Sequence, residues 1–372
     1  MLQYYKNILA RHVKNSIGWS TGRKIIVFTV DDYGSVRMAS KTARENLRKQ
    51  GLKIDSSKFD MYDGLEDAED LIQLYETLSS VKDKNSNPAI FTAMSLPANP
   101  DFAKMRNTGY IEYNYELITD TWQKLPGYER MKSIWEEGIN KKLIYPQFHG
   151  REHLNVKVLL DLLQKKDKEV LACFDNHSFG AISAKPYPSI NYVAAFEFDK
   201  YEENEALKEI AFDGLNAFEK VFGYRAKHFA APGAREHRCL AETLYKGGIR
   251  FIDSDMIKKE HQGNMKYENS YNFTGKKNEF QQVLLVRNCV FEPNPFDNLD
   301  WVGYCLKQIE IAFKWNKPAN ISTHRVNFAG HIEPSHRKKG LSLLRSLLKE
   351  IVKRWPDVEF MTSLELGELI DS

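Results

Sequence analysis

The sequence lacks the features that mark several common protein classes. Its 372 residues include only four cysteines, Cys173, Cys239, Cys289 and Cys305, and no two of them form a C-x-x-C pair. This spacing fits neither a zinc ribbon nor a disulfide scaffold, so we expect reduced structural thiols. No stretch approaches the roughly 18 apolar residues that a membrane-spanning helix requires, so we expect no membrane span.

The first residues also lack the pattern of a secretory signal. The segment 1–8 continues into Arg11-His12-Val13-Lys14, without an apolar run and without a small-residue cleavage site. Together with the cysteine usage, this predicts a cytoplasmic protein.

An excess of charge of one sign is missing as well. Lys and Arg total 53, Asp and Glu total 50, and the formal net charge is +3. Binding to nucleic acid requires a concentrated basic face, whereas the basic doublets of this chain are dispersed among acidic residues. We therefore expect no nucleic-acid partner.

What the chain does contain is a repeated alternation of short apolar runs with helical stretches. The first run, 24–30, is continuously apolar, as in a strand buried on both faces of a parallel sheet. Alternating strands and helices predict an α/β fold, a distorted (β/α) barrel of about seven parallel strands with long inserted loops. The other candidate strands are 89–94, 143–148, 170–174, 228–231, 249–252, 283–286, 319–323 and 358–361.

Ionisable residues cluster where these strands end. Asp31 and Asp32 directly follow the first strand, and we expect their side chains to point in different directions, since side chains alternate along a strand. A turn or a helix N-cap is the alternative explanation for such a pair. His324 follows the run 320–323, where it is a candidate general acid or an ordinary loop histidine.

The third strand is followed by His149-Gly150-Arg151-Glu152-His153. Histidines four positions apart on one helical turn lie about 5–6 Å from each other at Cβ, which suits the chelation of one ion. With ten histidines in the chain, coincidence is the alternative.

In combination, these segments resemble the motifs of the polysaccharide deacetylase superfamily, carbohydrate esterase family four. Thr29-Val30-Asp31-Asp32 is similar to its T-F-D-D motif, and His149-x-x-x-His153 is similar to its H-x-x-x-H metal motif. The later motifs follow in the same order, as Phe229-Ala230-Ala231-Pro232-Gly233, Asp253-Ser254-Asp255 and Ser322-Thr323-His324.

The resemblance implies a fold, an activity and a set of roles. A divalent metal ion, usually zinc, would be held by Asp32, His149 and His153, with a metal-bound water as the nucleophile. Asp31 would be the general base, and His324 would protonate the leaving amine. The implied reaction is hydrolysis of a C–N amide bond, which removes an acetyl group from an N-acetylated sugar in a polysaccharide or its precursor. The implied partner is therefore a carbohydrate substrate.

The sequence departs from the family at the third motif. Ala230 stands where the family has the arginine that orients the base, and Arg235, Arg151 and Arg325 are the candidates to replace it. The missing arginine leaves open a non-catalytic carbohydrate-binding barrel with a vestigial metal site. The same pentapeptide also matches the H-x-x-E-H pattern of a metalloprotease, with Glu152 as the base.

Length alone permits two or three domains, at roughly 150 residues each. Motifs spread from Asp31 to His324 require the whole span in one fold, however. We therefore predict an N-terminal extension over 1–23 and a single barrel over 24–372, with insertions near 95–140 and 256–281.

Overall fold

A computed structural model describes residues 2–372 and contains a large parallel sheet surrounded by helices. The strands are β1 (Lys24–Tyr33), β2 (Phe91–Ser95), β3 (Ala98–Pro100), β4 (Tyr115–Leu117), β5 (Ile144–Phe148), β6 (His228–Phe229), β7 (Phe251–Asp253), β8 (Ile257–His261), β9 (Tyr267–Tyr271), β10 (Val283–Leu285), β11 (Cys289–Val290), β12 (Ala319–His324) and β13 (Val358–Met361). The helices are α1 (Leu2–Asn15), α2 (Lys41–Lys49), α3 (Lys58–Tyr62), α4 (Ala68–Ser79), α5 (Phe102–Asn107), α6 (Ile118–Lys124), α7 (Met131–Asn140), α8 (Val156–Gln164), α9 (Lys168–Asp175), α10 (Asn204–Phe222), α11 (Ala241–Lys246), α12 (Trp301–Lys314), α13 (Pro334–Arg354) and α14 (Ser363–Asp371). Within the same range, no helix is both long and apolar enough to cross a membrane.

The large sheet has nine strands in the order β10-β7-β6-β5-β2-β1-β12-β11, with β13 paired to the first residues of β1. All of these pairs are parallel. The two ends of the order, β10 and β11, are joined by residues 286–288 alone, so a fully extended connection spans at most about 14 Å. The sheet therefore curls until the end of β10 and the start of β11 lie within this distance, which confirms the expected α/β barrel-like fold, here with nine strands.

The central strand β1 is buried on both faces, as its continuous apolar run predicts. Ile26, Phe28 and Val30 belong to the main core, where they pack with residues of α4, α7, α12 and α13. On the opposite face, Ile25 and Val27 pack against Leu366 of α14. Thr29 and Asp31 continue this second face toward the end of the strand.

The prediction of a strand over 170–174 is wrong. Residues 170–174 lie inside α9, whose first turn is capped by the Asp167 side chain accepting hydrogen bonds from the backbone N–H groups of Glu169 and Val170. The buried positions Val170, Cys173 and Phe174 follow helical spacing. An apolar run of five residues does not distinguish a strand from a buried helix, and here the cap decides for the helix.

The two expected insertions contain regular structure. Region 95–140 holds the antiparallel pair β3–β4 together with α5, α6 and α7. Region 256–281 is built around the antiparallel hairpin β8–β9.

The first helix, α1, lies against the segment that joins the two sheet edges. The Lys14 ammonium donates to the backbone carbonyl of Arg287, and the Asn288 amide donates to Asn15 Oδ1 at 2.7 Å. Arg11 also donates to the hydroxyl of Tyr304 on α12, at 2.5 Å. Residues 286–288 are therefore held from outside the sheet by α1.

Candidate metal centre

Asp31 and Asp32 both line one cavity of about 320 Å³ at the carboxyl ends of the strands. The pairing of β1 with β2 shifts register between Val30 and Tyr33, and Asp32 has a φ of 78°. Two successive side chains at this bulge therefore line the same cavity, although they contact different groups there, Asp31 an arginine and Asp32 two histidines. Aspartate tolerates the left-handed conformation better than most residues, which explains why the strand can bend here.

The two histidines reach the same cavity from the loop after β5. The backbone N–H of His149 donates to the Ser95 carbonyl at 3.0 Å, which fixes the start of this loop to β2. Gly150 follows with a φ of 104°, a conformation that requires glycine, and a Cβ at this position would lie only 3.3 Å from the Phe196 ring and 3.4 Å from Pro232. His149 Nε2 and His153 Nε2 lie 3.3 and 3.1 Å from Asp32 Oδ1.

The donor atoms fit a divalent metal ion. Asp32 Oδ1 and His149 Nε2 are buried and have no hydrogen-bond partner among the described residues, a costly arrangement unless a ligand satisfies them. His149 Nδ1 donates to the Ala230 carbonyl at 2.8 Å, which leaves the Nε2 lone pair free and directed at the cluster. The ligand atoms of Asp32, His149 and His153 all lie within 4.8 Å of one another. One carboxylate and two imidazoles suit zinc and other first-row divalent ions.

Electrostatics favour the charged form of Asp32. Burial opposes ionisation, but His153 and His149 outweigh it and hold the pKa of Asp32 well below its usual range. The carboxylate is therefore available as an anionic ligand.

Asp31 is held by an arginine that the sequence did not single out. Arg287 donates from Nη1 to Asp31 Oδ2 at 2.5 Å and from Nη2 to Asp31 Oδ1 at 2.8 Å. Its Nε donates to Asp253 Oδ2 at 2.6 Å. Burial acts against the charge of Asp253, yet Arg287 and His228 lower the pKa of that carboxyl to about 2.

The three arginines expected as substitutes are engaged elsewhere. Arg235 lies 3.4 Å from Glu197, measured from Nε to Oε1. Arg151 donates to Glu152 and Asp213. Arg325 pairs with Asp63 and Glu66 in the core. The arginine that contacts Asp31 comes instead from the segment between β10 and β11.

His324 faces Asp31 across the neighbouring strands β1 and β12, where the two residues are register partners. Its Nε2 lies 3.8 Å from Asp31 Oδ2, and its Nδ1 lies 2.8 Å from Glu292 Oε2. Burial lowers the pKa of His324, but Glu292 and the aspartates outweigh it and raise the pKa to about 10. The His324 imidazole is accordingly protonated near neutral pH.

Glu292, the partner of His324, is a second residue that the sequence did not single out. Besides His324, its carboxylate accepts from Lys58 Nζ at 2.5 Å and from Asn327 Nδ2 at 2.8 Å. Burial opposes its charge, yet His324 and Lys58 lower the pKa of Glu292 to about 2. The base and the acid candidates thus each have a fixed partner of opposite charge.

The metalloprotease alternative does not fit this geometry. Residues 149–153 form an irregular loop and not a helix. Glu152 is 2% exposed, accepts from Arg151 Nε at 2.6 Å and does not line the cavity. The H-x-x-E-H pattern therefore lacks both its helix and its base.

Neither a protein-family model nor a curated protein sequence matches this chain. Solved structures with a similar fold include a Mycobacterium smegmatis protein designated a polysaccharide deacetylase, at 11% identity and a TM-score of 0.46, covering 95% of this chain and 93% of that one. They also include the allantoinase Puue, at 10% identity and a TM-score of 0.44, covering 94% of this chain and 91% of that one. The α-amylase AmyC of Thermotoga maritima is similar at 10% identity and a TM-score of 0.41, covering 93% of this chain and 74% of that one. At such identities the activities of these proteins do not transfer to this chain.

Proposed function

We propose that this chain is a metal-dependent hydrolase that removes the acetyl group from an N-acetylated sugar. The observation that carries this function is one cavity lined by an unsatisfied Asp-His-His cluster, an arginine-held Asp31 and a glutamate-held His324. These are the groups that amide hydrolysis needs, namely an electrophile site, a base and an acid.

Asp32, His149 and His153 would hold the metal ion. A divalent cation bound there supplies Lewis-acid chemistry, since it acidifies a water molecule and polarises an amide carbonyl. Two His ligands and one Asp leave coordination positions open, as in catalytic zinc sites.

Asp31 would accept the proton of the attacking water. The two N–H groups of Arg287 fix the carboxylate plane and keep its charge inside the cavity. Water oxygen then bonds to the acetyl carbon as Asp31 takes up the proton.

His324 would donate a proton to the departing nitrogen. Glu292 fixes the ring through Nδ1, so Nε2 points toward Asp31 and the cavity. As the C–N bond breaks, this proton produces a free amine on the sugar, and the acyl part leaves as acetate.

An uncharged N-acetyl group suits the remaining cavity wall. Ala230, Ala231 and Ala234 provide small apolar surface beside the carboxylates, where an acetyl methyl group can be accommodated. The balanced composition of the chain also suits a carbohydrate without dense charge.

We also infer a reducing compartment, as in the cytoplasm, and hence a polysaccharide precursor as substrate. All four cysteines are free thiols, and three of them are buried. Burial raises the pKa of Cys289 to about 12, so this thiol stays protonated and unreactive.

Replacement of the base tests the function directly. We expect Asp31→Asn to lower acetate release from N-acetylated chito-oligosaccharides by about 10²–10⁴-fold, because a positioned base contributes about this much. Bound metal, measured by elemental analysis, should remain at the wild-type level.

Asp255→Asn is the matched control, since Asp255 lines the same cavity but is exposed. Full activity of Asp31→Asn would exclude Asp31 as the base. Oligosaccharide binding by a metal-loaded wild-type protein that releases no acetate would favour the non-catalytic barrel. The absence of the family arginine at the position of Ala230 was the reason to consider the non-catalytic barrel. Because Arg287 contacts Asp31 in its place, that reason no longer applies.

A further inference from the structure

A second cavity, of about 310 Å³, lies beside the metal cavity, and Ser254 lines both. The second cavity is formed by the hairpin β8–β9, by α11 and by the segment 272–279. Apolar side chains of Leu240, Leu244 and Leu284 contribute to its wall. None of the groups assigned to catalysis lies in it.

The charged side chains that line this cavity balance in sign, with the cations Lys258, Arg238 and Lys276 and the carboxylates Glu236, Glu260 and Glu279. The Lys258 ammonium pairs with Glu236, and these residues are 8% and 7% exposed. Arg238 donates to Glu260, which is 3% exposed. Lys258 and Arg238 thus each have a carboxylate partner, whereas the third cation of the wall, Lys276, donates to the Tyr271 carbonyl and to Asn272 Oδ1. With Glu279 also in the lining, the wall carries no excess of positive charge that would favour an anionic ligand.

One buried acceptor remains without a partner. Glu236 Oε2 has no hydrogen bond within the described part of the chain, although the other carboxylate oxygen is bound to Lys258. A ligand hydroxyl group that donates to this oxygen would remove the cost of leaving it unpaired.

Strand alternation explains how the hairpin supplies this wall. Lys258 and Glu260 occupy alternate positions of β8 and are buried, whereas Ile257 and Lys259, the residues before each of them, are exposed. The insertion therefore presents one charged, internally paired face to the cavity and leaves its other face to solvent.

We infer, on the basis of the proposed function, that the second cavity binds a neutral sugar residue adjacent in the carbohydrate chain to the acetylated one. A pyranose ring presents C–H groups to apolar side chains and hydroxyl groups to polar ones, which matches a leucine-lined wall with a buried carboxylate acceptor. Ser254 directly follows Asp253, the partner of Arg287, so the two cavities meet at the end of β7. The ligand is thus an oligosaccharide of at least two residues.

Binding measurements on a catalytically silenced, zinc-loaded protein test this inference. In an Asp31→Asn background, calorimetry would compare N-acetylglucosamine with its β-1,4-linked tetramer. We expect the tetramer to bind at least tenfold more tightly. Adding Glu236→Gln should weaken tetramer binding at least fivefold and leave the monosaccharide unaffected.

Two further variants keep the outcome interpretable. Ala241→Leu reduces the volume of the second cavity without touching an ion pair and should also weaken tetramer binding selectively. Glu242→Gln, an exposed glutamate of the same helix paired with Lys246, is the matched control and should change neither affinity. Metal content and circular dichroism would establish that each variant is folded.

Equal affinity for the two sugars, an equal loss of both in the Glu236 variant, or binding of neither would overturn the inference. The proposed activity has a separate readout in acetate release by the protein with Asp31 intact. Selective tetramer binding without acetate release would support the second cavity as a sugar site and reject the hydrolase activity. Acetate release with the same kcat/KM for both sugars, in the wild type and in the variants, would support the hydrolase and reject the second cavity as a sugar site.

Discussion

The backbone conformation of Asp32 shapes the site at the scale of single residues. A non-glycine residue with positive φ costs on the order of 1–3 kcal/mol, and such residues often occur at functional sites. Here the conformation places Asp31 beside Arg287 and Asp32 beside the two histidines. Two adjacent carboxylates thereby contact separate partners within one cavity.

Arg287 provides the most direct test of how the proposed base, Asp31, is held. We expect Arg287→Met to lower kcat for acetate release by roughly 10–100-fold. This is at most the effect of removing one hydrogen-bond donor that stabilises charge in a transition state. Asp31 would lose two hydrogen bonds, whereas the three ligand atoms of the metal centre would keep their positions, so metal content should not change.

Arg235→Met serves as the matched control for Arg287→Met, because Arg235 is half exposed and faces Glu197. Loss of metal together with activity would show that Arg287 maintains the fold of the whole site and not the base specifically.

The sequence could predict those site residues that stand in short, recognisable motifs. Asp31, Asp32, His149, His153 and His324 stand in short motifs directly after strands, and the structure brings all five to one cavity. Arg287 and Glu292 also follow a predicted strand, 283–286, and that position is the only signal they carry. Their partners are 256 and 32 residues away, a pairing that only the folded sheet creates.

At the scale of elements, the residue after His324 anchors the end of β12 in the core. Arg325 is 1% exposed and donates to Asp63 at 2.6 Å and to Glu66 at 2.8 Å. Glu66 in turn accepts from the backbone N–H of Gly34, just after β1. This network connects the ends of the two strands that carry the proposed base and acid.

We expect Arg325→Met to lower the free energy of unfolding by about 3–5 kcal/mol, because two buried carboxylates would lose their cation. Denaturant titration would measure the change. Arg345→Met, on the exposed side of α13, should change stability by less than about 0.5 kcal/mol. A loss below about 1 kcal/mol for Arg325→Met would contradict the proposed anchoring.

His336, in the first turn of α13, predicts a pH dependence of stability. Its ring stacks on Tyr62 with centroids 4.1 Å apart, and Nε2 donates to the Val326 carbonyl at 2.9 Å. Burial lowers its pKa to about 4 in the fold, against about 6.5 in an unfolded chain. The folded state therefore prefers the neutral ring, and its contribution is complete above about pH 6.5 and lost as the pH falls toward 4.

In that pH window His336 should contribute a slope of at most about 1.4 kcal/mol per pH unit to the free energy of unfolding. Unfolding of His336→Gln, followed at several pH values, should show a shallower acid dependence than the wild type. Parallel curves for the two proteins would mean that His336 does not titrate differently on folding.

The elements themselves were predictable to different degrees. Long apolar runs next to turns identified the central strands correctly, whereas 170–174 is a helix because Asp167 caps it. The content of the insertions was not predicted, since β3, β4, β8 and β9 lack the continuous apolar runs that identify the parallel strands, although they form two antiparallel pairs. Local pattern thus recovers the parallel core better than the structures attached to it.

At the scale of the whole molecule, α1 supports residues 286–288, the segment that joins the two edge strands β10 and β11. Lys14 and Asn15 contact Arg287 and Asn288, and Asn288 also donates to the Pro318 carbonyl at 2.9 Å. Arg287 therefore depends on a helix that lies outside the predicted barrel span.

We expect a chain lacking residues 1–15 to lose both thermal stability and acetate release, with metal content retained. Asn15→Ala should reproduce part of the stability loss, about 0.5–1.5 kcal/mol, because Asn288 would lose one acceptor. Thermal unfolding and elemental analysis would measure these effects. Wild-type melting temperature and activity in the truncated chain would show that the junction is stable without α1.

The order of strands in the sheet has a consequence for how the protein matures. β1, β2 and β5 are neighbours in the sheet, and with the loop after β5 they supply Asp32, His149 and His153 from the first 153 residues. Arg287, Glu292 and His324 belong to the final third of the chain and reach the site only when β10, β11 and β12 have been added to the sheet. During synthesis from the N-terminus, the three candidate metal ligands emerge long before the groups that hold the proposed base and acid in place. On the proposed function, a nascent chain therefore contains all the ligands of its ion well before it contains the groups that would use that ion.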